Sequence, residues 1–181
     1  MVSEFRRKKY MEVFNSFDRD SSGTIEKKDF EIAAEEIAKA NGKVDEGKRK
    51  EYLSTLLKIW EGIASQADSN KDGHVSAEEW VALWDAYAKN PSAAQEWQSV
   101  YCKFTFQLLD TGGDGTIDSG EFVKAYEAWG FKRNGAEALF EKMSGGKPAI
   151  SWAEFQVLWK EYFAADDVNA PGNSLFTSPP S

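Results

Sequence analysis

Oxygen-bearing side chains at alternate positions of a short loop can wrap a hard divalent cation. Ca²⁺ takes about six to eight oxygens at roughly 2.3–2.6 Å. Residues 68–79 have that spacing. Asp68, Asn70, Asp72 and Ser76 place oxygens at the first, third, fifth and ninth positions, and Glu79 closes the loop at the twelfth with a carboxylate long enough to bind through both oxygens. The seventh position uses a backbone carbonyl, that of His74, so the identity of this side chain matters little to the ion and its ring is expected to be solvated. Gly73 sits at the sixth position, where the turn is too sharp for a Cβ. Val75 points away from the ion and toward a core. Every specified position of D-x-[DN]-x-[DN]-G-x5-E is matched, and the pattern is a specific one.

A pattern this clear invites a search for copies. Residues 18–29 supply Asp18, Asp20, Ser22, the Thr24 carbonyl and Glu26, but close on Asp29. Aspartate is a methylene shorter than glutamate and reaches with one oxygen, which favours the smaller octahedral Mg²⁺. A mixed Ca²⁺/Mg²⁺ site is therefore expected there. Residues 110–121 supply Asp110, Asp114, the Thr116 carbonyl, Asp118 and Glu121, with Gly112 where a side-chain oxygen belongs. Water must fill that vertex, so weaker binding than at 68–79 is expected. Residues 143–154 keep Ile150 and Glu154, while Met143, Gly145 and Lys147 take the first, third and fifth positions and Pro148 the sixth. An ammonium repels a cation, so this loop reads as non-binding. Its expected role is to pair Ile150 with Ile117, as Ile25 pairs with Val75.

Helices must hold these loops. Phe14, Phe17 and Phe30 flank the first loop, Trp80 follows the second, Phe104 and Leu108 precede the third, and Phe122 and Phe155 follow the last two. Spacing of three and four residues gives each helix one apolar face. Capping signals stand at Ser76-x-x-Glu79, Ser92-x-x-Gln95, Asn134-x-x-Glu137 and Ser151-x-x-Glu154. A polar break at 42–47 precedes a long helix over 47–67. The pattern predicts an all-α protein of two paired helix-loop-helix lobes. An N-terminal pair spans 1–90, a C-terminal pair 91–164, joined near Lys89-Asn-Pro-Ser92, and a tail runs over 165–181. Regular structure should stop at Ala164, and the apolar Leu175-Phe176 should tuck back against the body.

Composition narrows the function classes. A net charge of −8 argues against nucleic acid and suits a holder of cations; three bound Ca²⁺ would leave about −2. No apolar run can span a bilayer, residues 1–9 lack a signal core, and Val2 stands where myristoylation needs glycine, so no stable membrane anchor is expected. The four basic residues Arg6–Lys9 read as a solvated helix face. The single cysteine, Cys102, reads as core packing and fits a cytoplasmic location. With 3 Met against 7 Trp and 12 Phe, the interior suits a closed buffer better than an adaptable target groove.

Together with Leu57-Lys-Ile-Trp60, Glu78-Glu-Trp80 and Pro171-Gly-Asn-Ser-Leu-Phe176, these loops resemble the calexcitin branch of the sarcoplasmic calcium-binding proteins, an EF-hand family, over nearly the whole chain. The resemblance implies a compact, all-helical, intracellular monomer with Ca²⁺ in its first three loops. It also implies an alternative, because some insect members are described as juvenile hormone diol kinases that use ATP or GTP with Mg²⁺. A small apolar ligand such as that diol would then be a partner. The residues to carry a nucleotide are Gly42, Gly47 and Lys48, which fit G-x4-G-K. Arg49, however, replaces the Ser or Thr that a phosphate-binding loop needs, and a helical stretch precedes it. No catalytic residue is assigned.

Overall fold

The computed structural model describes residues 1–42, 45–128 and 133–176. Among these, α1 (Glu4–Phe17), α2 (Lys27–Ala40), α3 (Glu46–Ala67), α4 (Ala77–Lys89), α5 (Glu96–Leu109), α6 (Ser119–Ala128), α7 (Arg133–Ser144) and α8 (Trp152–Ala164) are the α-helices. Two short strands, β1 (Thr116–Asp118) and β2 (Ala149–Ser151), complete the regular structure together with single 3-10 turns at Pro91–Ala93 and Pro171–Ser174. The fold is the all-α EF-hand arrangement. It divides into two compact units, Met1–Tyr101 and Cys102–Ser181, and the division falls inside α5.

In the N-terminal unit the aromatic residues flanking the loops meet. Phe17 stacks on Phe30 at 5.1 Å between ring centroids and meets Trp80 edge-on at 5.7 Å; Phe30 tilts against Trp60 at 5.6 Å. Trp80 is fully buried, and its indole N–H donates to the Tyr10 carbonyl at 2.8 Å, satisfying the one polar atom that so large a ring carries inside. Gly62 of α3 lies directly beneath Trp97 of α5: a Cβ there would stand 2.2 Å from that side chain. The loops themselves are joined by a single antiparallel bridge, Ile25 to Val75, with backbone N–H to carbonyl distances of 2.9 and 2.8 Å. Both side chains are completely buried.

The C-terminal unit repeats the plan with a longer ladder. Strands β1 and β2 pair antiparallel in the register Thr116 to Ser151, Ile117 to Ile150 and Asp118 to Ala149. Phe122 packs on Tyr126 and Phe140 at 4.3 and 5.8 Å, and Phe106 meets Phe155 at 5.3 Å. After α8 the chain does not lose all regular structure. The 3-10 turn at Pro171–Ser174 delivers Leu175, 2% exposed, and Phe176 against α8, where Phe176 lies 5.1–6.0 Å from the rings of Trp159, Tyr162 and Phe163. The Tyr126 hydroxyl donates to the Leu175 carbonyl and the Gly172 N–H to Glu161 at 2.8 Å. Gly172 presses so closely on α8 that a Cβ would come within 2.3 Å of the Leu158 carbonyl oxygen.

Two of the expected caps form and two do not. Ser76 and Ser151 each accept from the backbone N–H three residues on, with Glu79 and Glu154 reaching back. Ser92 instead lies in the 3-10 turn and donates to Asn90 at 2.8 Å, while α5 starts later and Gln98 reaches back to the Gln95 N–H at 2.7 Å. Asn134 lies within α7, and Glu137 there accepts from Arg133 at 3.0 Å. The basic run Arg6–Lys9 is not simply a solvated face. Arg6 pairs with Asp85 at 3.3 Å, Arg7 with Glu78, and Lys9 is 3% exposed with its ammonium 4.7 Å above the Phe5 ring. Which side of a helix is covered depends on neighbours that sequence spacing does not name.

Candidate metal sites

The first acidic residue of each of the first three loops has the same two partners. Asp18, Asp68 and Asp110 accept through Oδ1 from the N–H of the fifth position (Ser22, Asp72 and Asp114) at 2.9, 3.2 and 3.2 Å. Through Oδ2 they accept from the sixth-position glycine (Gly23, Gly73 and Gly115) at 2.9, 3.0 and 2.9 Å. Those glycines have φ of 85, 83 and 84°, a left-handed conformation that side chains resist. The loop is thereby curled so that its carboxylates converge on its own backbone.

The twelfth residue closes each loop by the same means. One oxygen of Asp29, Glu79 and Glu121 accepts from the ninth-position N–H (Glu26, Ser76 and Asp118) at 2.8, 3.0 and 3.0 Å. The other reaches across to the loop's entry: Arg19 N–H at 2.9 Å, Ser69 N–H at 3.2 Å and Gly112 N–H at 2.7 Å. A cation is the natural occupant of such a ring, because the first- and twelfth-position carboxylates are held by neutral donors rather than by a fixed positive charge. The remaining predicted oxygens lie in the same loops. Asn70 Oδ1 accepts from Asp72 N–H at 3.0 Å, the Asp72 carboxylate from His74 N–H at 2.9 Å, Asp114 from Thr116 N–H at 2.9 Å, and Ser22 Oγ lies 3.1 Å from the Thr24 carbonyl.

Loop 18–29 draws its carboxylates together most tightly. Asp18, Asp20 and Asp29 each offer an oxygen within 4.8 Å of the others. Asp29 is completely buried. Burial lifts its carboxyl above the usual range, and the N–H groups of Glu26, Asp20 and Arg19 only partly offset this. A divalent ion beside it would supply the missing stabilisation of the charged form. Asp20 is held below the usual range, chiefly by Ser22 and then by Lys28, whose ammonium is 3.2 Å away. Glu79 is also held low, chiefly by the Ser76 N–H.

Loop 143–154 keeps the frame and changes its contents. Glu154 accepts from the ninth-position N–H of Ser151 at 3.4 Å, as its counterparts do, but its other oxygen takes the Lys147 ammonium at 3.0 Å. Lys147 holds the carboxyl below its usual range. With Pro148 fixed at φ near −65°, the left-handed residue of the sixth position is lost; Gly146, at 82°, keeps the left-handed fourth position, and Gly145, at 63°, adds one at the third. The loop carries its own cation, bonded to the residue that closes it.

His74 departs from expectation. Its ring is half-exposed, yet Nδ1 lies 3.0 Å from Oε2 of Glu26 in the facing loop. The signal was available: once Ile25 is paired with Val75 in antiparallel sense, residue 26 must face residue 74. Of the candidate nucleotide-binding residues, Gly42 closes α2, and Gly47 and Lys48 lie in the first turn of α3; residues 43 and 44 of that motif lie outside the described residues. The Lys48 N–H donates to Asp45 at 2.7 Å and its ammonium to Glu51 at 3.1 Å, so a carboxylate already takes the helix-start donor. Cys102 is buried, and burial pushes its thiol up to about 12, which leaves it inert packing.

Three comparisons bear on this geometry. The EF hand family pattern matches residues 11–32, 65–84 and 103–125, the segments around the three carboxylate-closed loops. Calexcitin-1 of Caenorhabditis elegans is 30% identical, covering 97% of this chain and 87% of its own. The sarcoplasmic calcium-binding proteins I, III and IV of Branchiostoma lanceolatum are 26% identical over 99% of this chain and their full length. The solved structure of a sarcoplasmic calcium-binding protein from amphioxus superposes with a TM-score of 0.84 at 23% identity, covering 99% of this chain and 100% of that one.

Proposed function

Because the chain belongs to the EF-hand calcium-binding proteins of the calexcitin and sarcoplasmic type, we propose that it is a cytoplasmic buffer, or a sensor of small amplitude, holding up to three divalent cations as a monomer. The ligands are Asp18, Asp20, Ser22, the Thr24 carbonyl and Asp29 in the first loop. Asp68, Asn70, Asp72, the His74 carbonyl and Glu79 serve the second, and Asp110, Asp114, the Thr116 carbonyl, Asp118 and Glu121 the third. The observation that carries this reading is the shared frame of the twelfth residue: in three loops its second oxygen reaches neutral N–H and O–H donors, and in the fourth it reaches an ammonium.

The ions bring charge and order to loops whose carboxylates otherwise repel one another. The loop at 18–29 takes Mg²⁺ as well as Ca²⁺, because the shorter Asp29 closes it. A cytoplasmic setting fits a lone buried thiol, and among the described residues no helix is long and apolar enough to cross a membrane. A buffering role fits an interior in which the tryptophan and phenylalanine rings already pack on one another.

Calorimetric titration with Ca²⁺, with and without physiological Mg²⁺, tests the proposal. Three equivalents are expected, one of them weakened by Mg²⁺; Asp29→Glu should abolish that competition. Glu79→Gln should remove one equivalent, costing at least the roughly 10–100-fold that loss of an outer-sphere partner costs. Fewer than three equivalents would overturn the stoichiometry, and indifference to Mg²⁺ would overturn the mixed site.

A further inference from the structure

We propose that the His74 ring is a positioning residue through which the loop at 18–29 answers to occupancy of the loop at 68–79. The inference rests on the reading that both loops bind cations. Residue 74 faces two ways. By its place in the loop, its carbonyl serves the seventh position of its own site, while its Nδ1 lies 3.0 Å from Oε2 of Glu26, the ninth position of the other. The two residues meet because the Ile25–Val75 bridge sets them opposite one another across an antiparallel pair.

The second unit shows what happens without the ring. There the same register sets Asp118, again a ninth-position acid, opposite Ala149. A methyl group cannot hold a carboxylate, so Asp118 has its own helix alone, accepting from the Glu121 N–H at 2.8 Å, whereas Glu26 caps its helix at Asp29 and meets His74 as well. Among the described residues, only in the first unit does a ninth-position acid bond to the seventh position of its partner loop.

The consequence is directional. A cation in 68–79 fixes the peptide of residue 74 and with it the root of the ring. The ring then holds Oε2 of Glu26 and so fixes this carboxylate, at the ninth position, beside the cation of 18–29 or a water bound to it. Loading the second loop therefore raises the affinity of the first. The contact is partly solvent-exposed, so its share of the coupling is a factor of about two to five.

The amides of Gly23 and Gly73 give a site-resolved readout, because each donates to the first-position carboxylate of its own loop, at 2.9 and 3.0 Å. Following both by NMR during Ca²⁺ titration gives the affinity of 18–29 with the second loop intact and with Glu79→Gln; the ratio is the coupling. His74→Ala should lower that ratio about two- to fivefold. His74→Asn, whose amide can donate to Glu26, should restore part of it. Glu26→Gln should lower it similarly, and His74→Ala added to that background should change nothing more. A purely structural ring would shift thermal stability and leave the ratio alone. An unchanged ratio in His74→Ala, with both glycines still responding to Ca²⁺, overturns the inference but not the metal reading. Failure of Gly23 or Gly73 to respond in the native chain overturns both.

Discussion

The N-terminal unit sets two carboxylate-lined loops face to face, whereas the C-terminal unit sets one such loop against a partner whose closing glutamate already holds a lysine. The backbone frame is nearly the same in all four: a twelfth-position acid bonded to the ninth-position N–H, and an apolar eighth residue paired with its opposite number. What differs is the source of positive charge. In the first unit, among the described residues, no ammonium reaches the closing carboxylate of either loop, which meets neutral donors alone. In the second, Lys147 supplies that charge covalently to one loop, and Phe176 with Leu175 adds a strap of the chain's own making. The difference teaches that one frame can be closed either by neutral donors or by a tethered cation. A unit with a tethered cation and a strap should be less responsive to calcium than a unit without them.

Three changes would break or sharpen that contrast. The largest effect is expected from Leu175→Ala, which empties a 2%-exposed site beneath the Tyr126 hydroxyl and should cost about 2–5 kcal/mol. Scanning calorimetry in saturating Ca²⁺ should show the transition of the second unit moving down while that of the first stays put. If both shift equally, the strap does not belong to one unit alone. Next comes Gly112→Asp, which returns the missing third-position oxygen to loop 110–121. Its Cβ would meet only the flexible end of Glu121, at 3.0 Å, so the loop should accept it and bind Ca²⁺ up to about tenfold more tightly. An unchanged affinity in a calcium titration would mean that the third vertex was never short of a ligand.

The smallest effect is that of Lys147→Ala. No metal site should appear, since Met143 and Gly145 still offer no side-chain oxygen. The second unit should lose a little thermal stability at neutral pH. The sign with pH follows from Glu154, whose carboxyl Lys147 holds below the ordinary value. The contribution is complete above that ordinary value and vanishes as pH falls through the lowered one, so native and variant chains should melt alike in acid. A difference that persists there would assign the effect to packing of the lysine stem instead.

Much of this was legible beforehand, for physical reasons. Loop ligands follow one another in sequence, so Asp68 through Glu79 can be read without knowing any fold. The pairing of Ile25 with Val75 and of Ile117 with Ile150 follows from the eighth position alone. The long third helix and the capping boxes at Ser76 and Ser151 were equally local. What escaped depends on which backbones meet in space. Lys147 reads as a repelled intruder until Glu154 is found beside it. The ring of His74 reads as idle until residue 26 is placed opposite. Gly113 offers no ligand, yet its φ of 67° is the conformation that Ser21 and Lys71 adopt at the same position, at 57 and 59°. The tight seat of Gly172 on Leu158 has no sequence signal at all beyond the glycine itself.

That seat has a consequence for how the protein is made. The rings of Trp159, Tyr162 and Phe163 receive their cover from residues 171–176. A ribosome must therefore release residues 171–176 before these rings of α8 can receive that cover. Birth order thus leaves this face of α8 bare until the segment that covers it has cleared the exit tunnel.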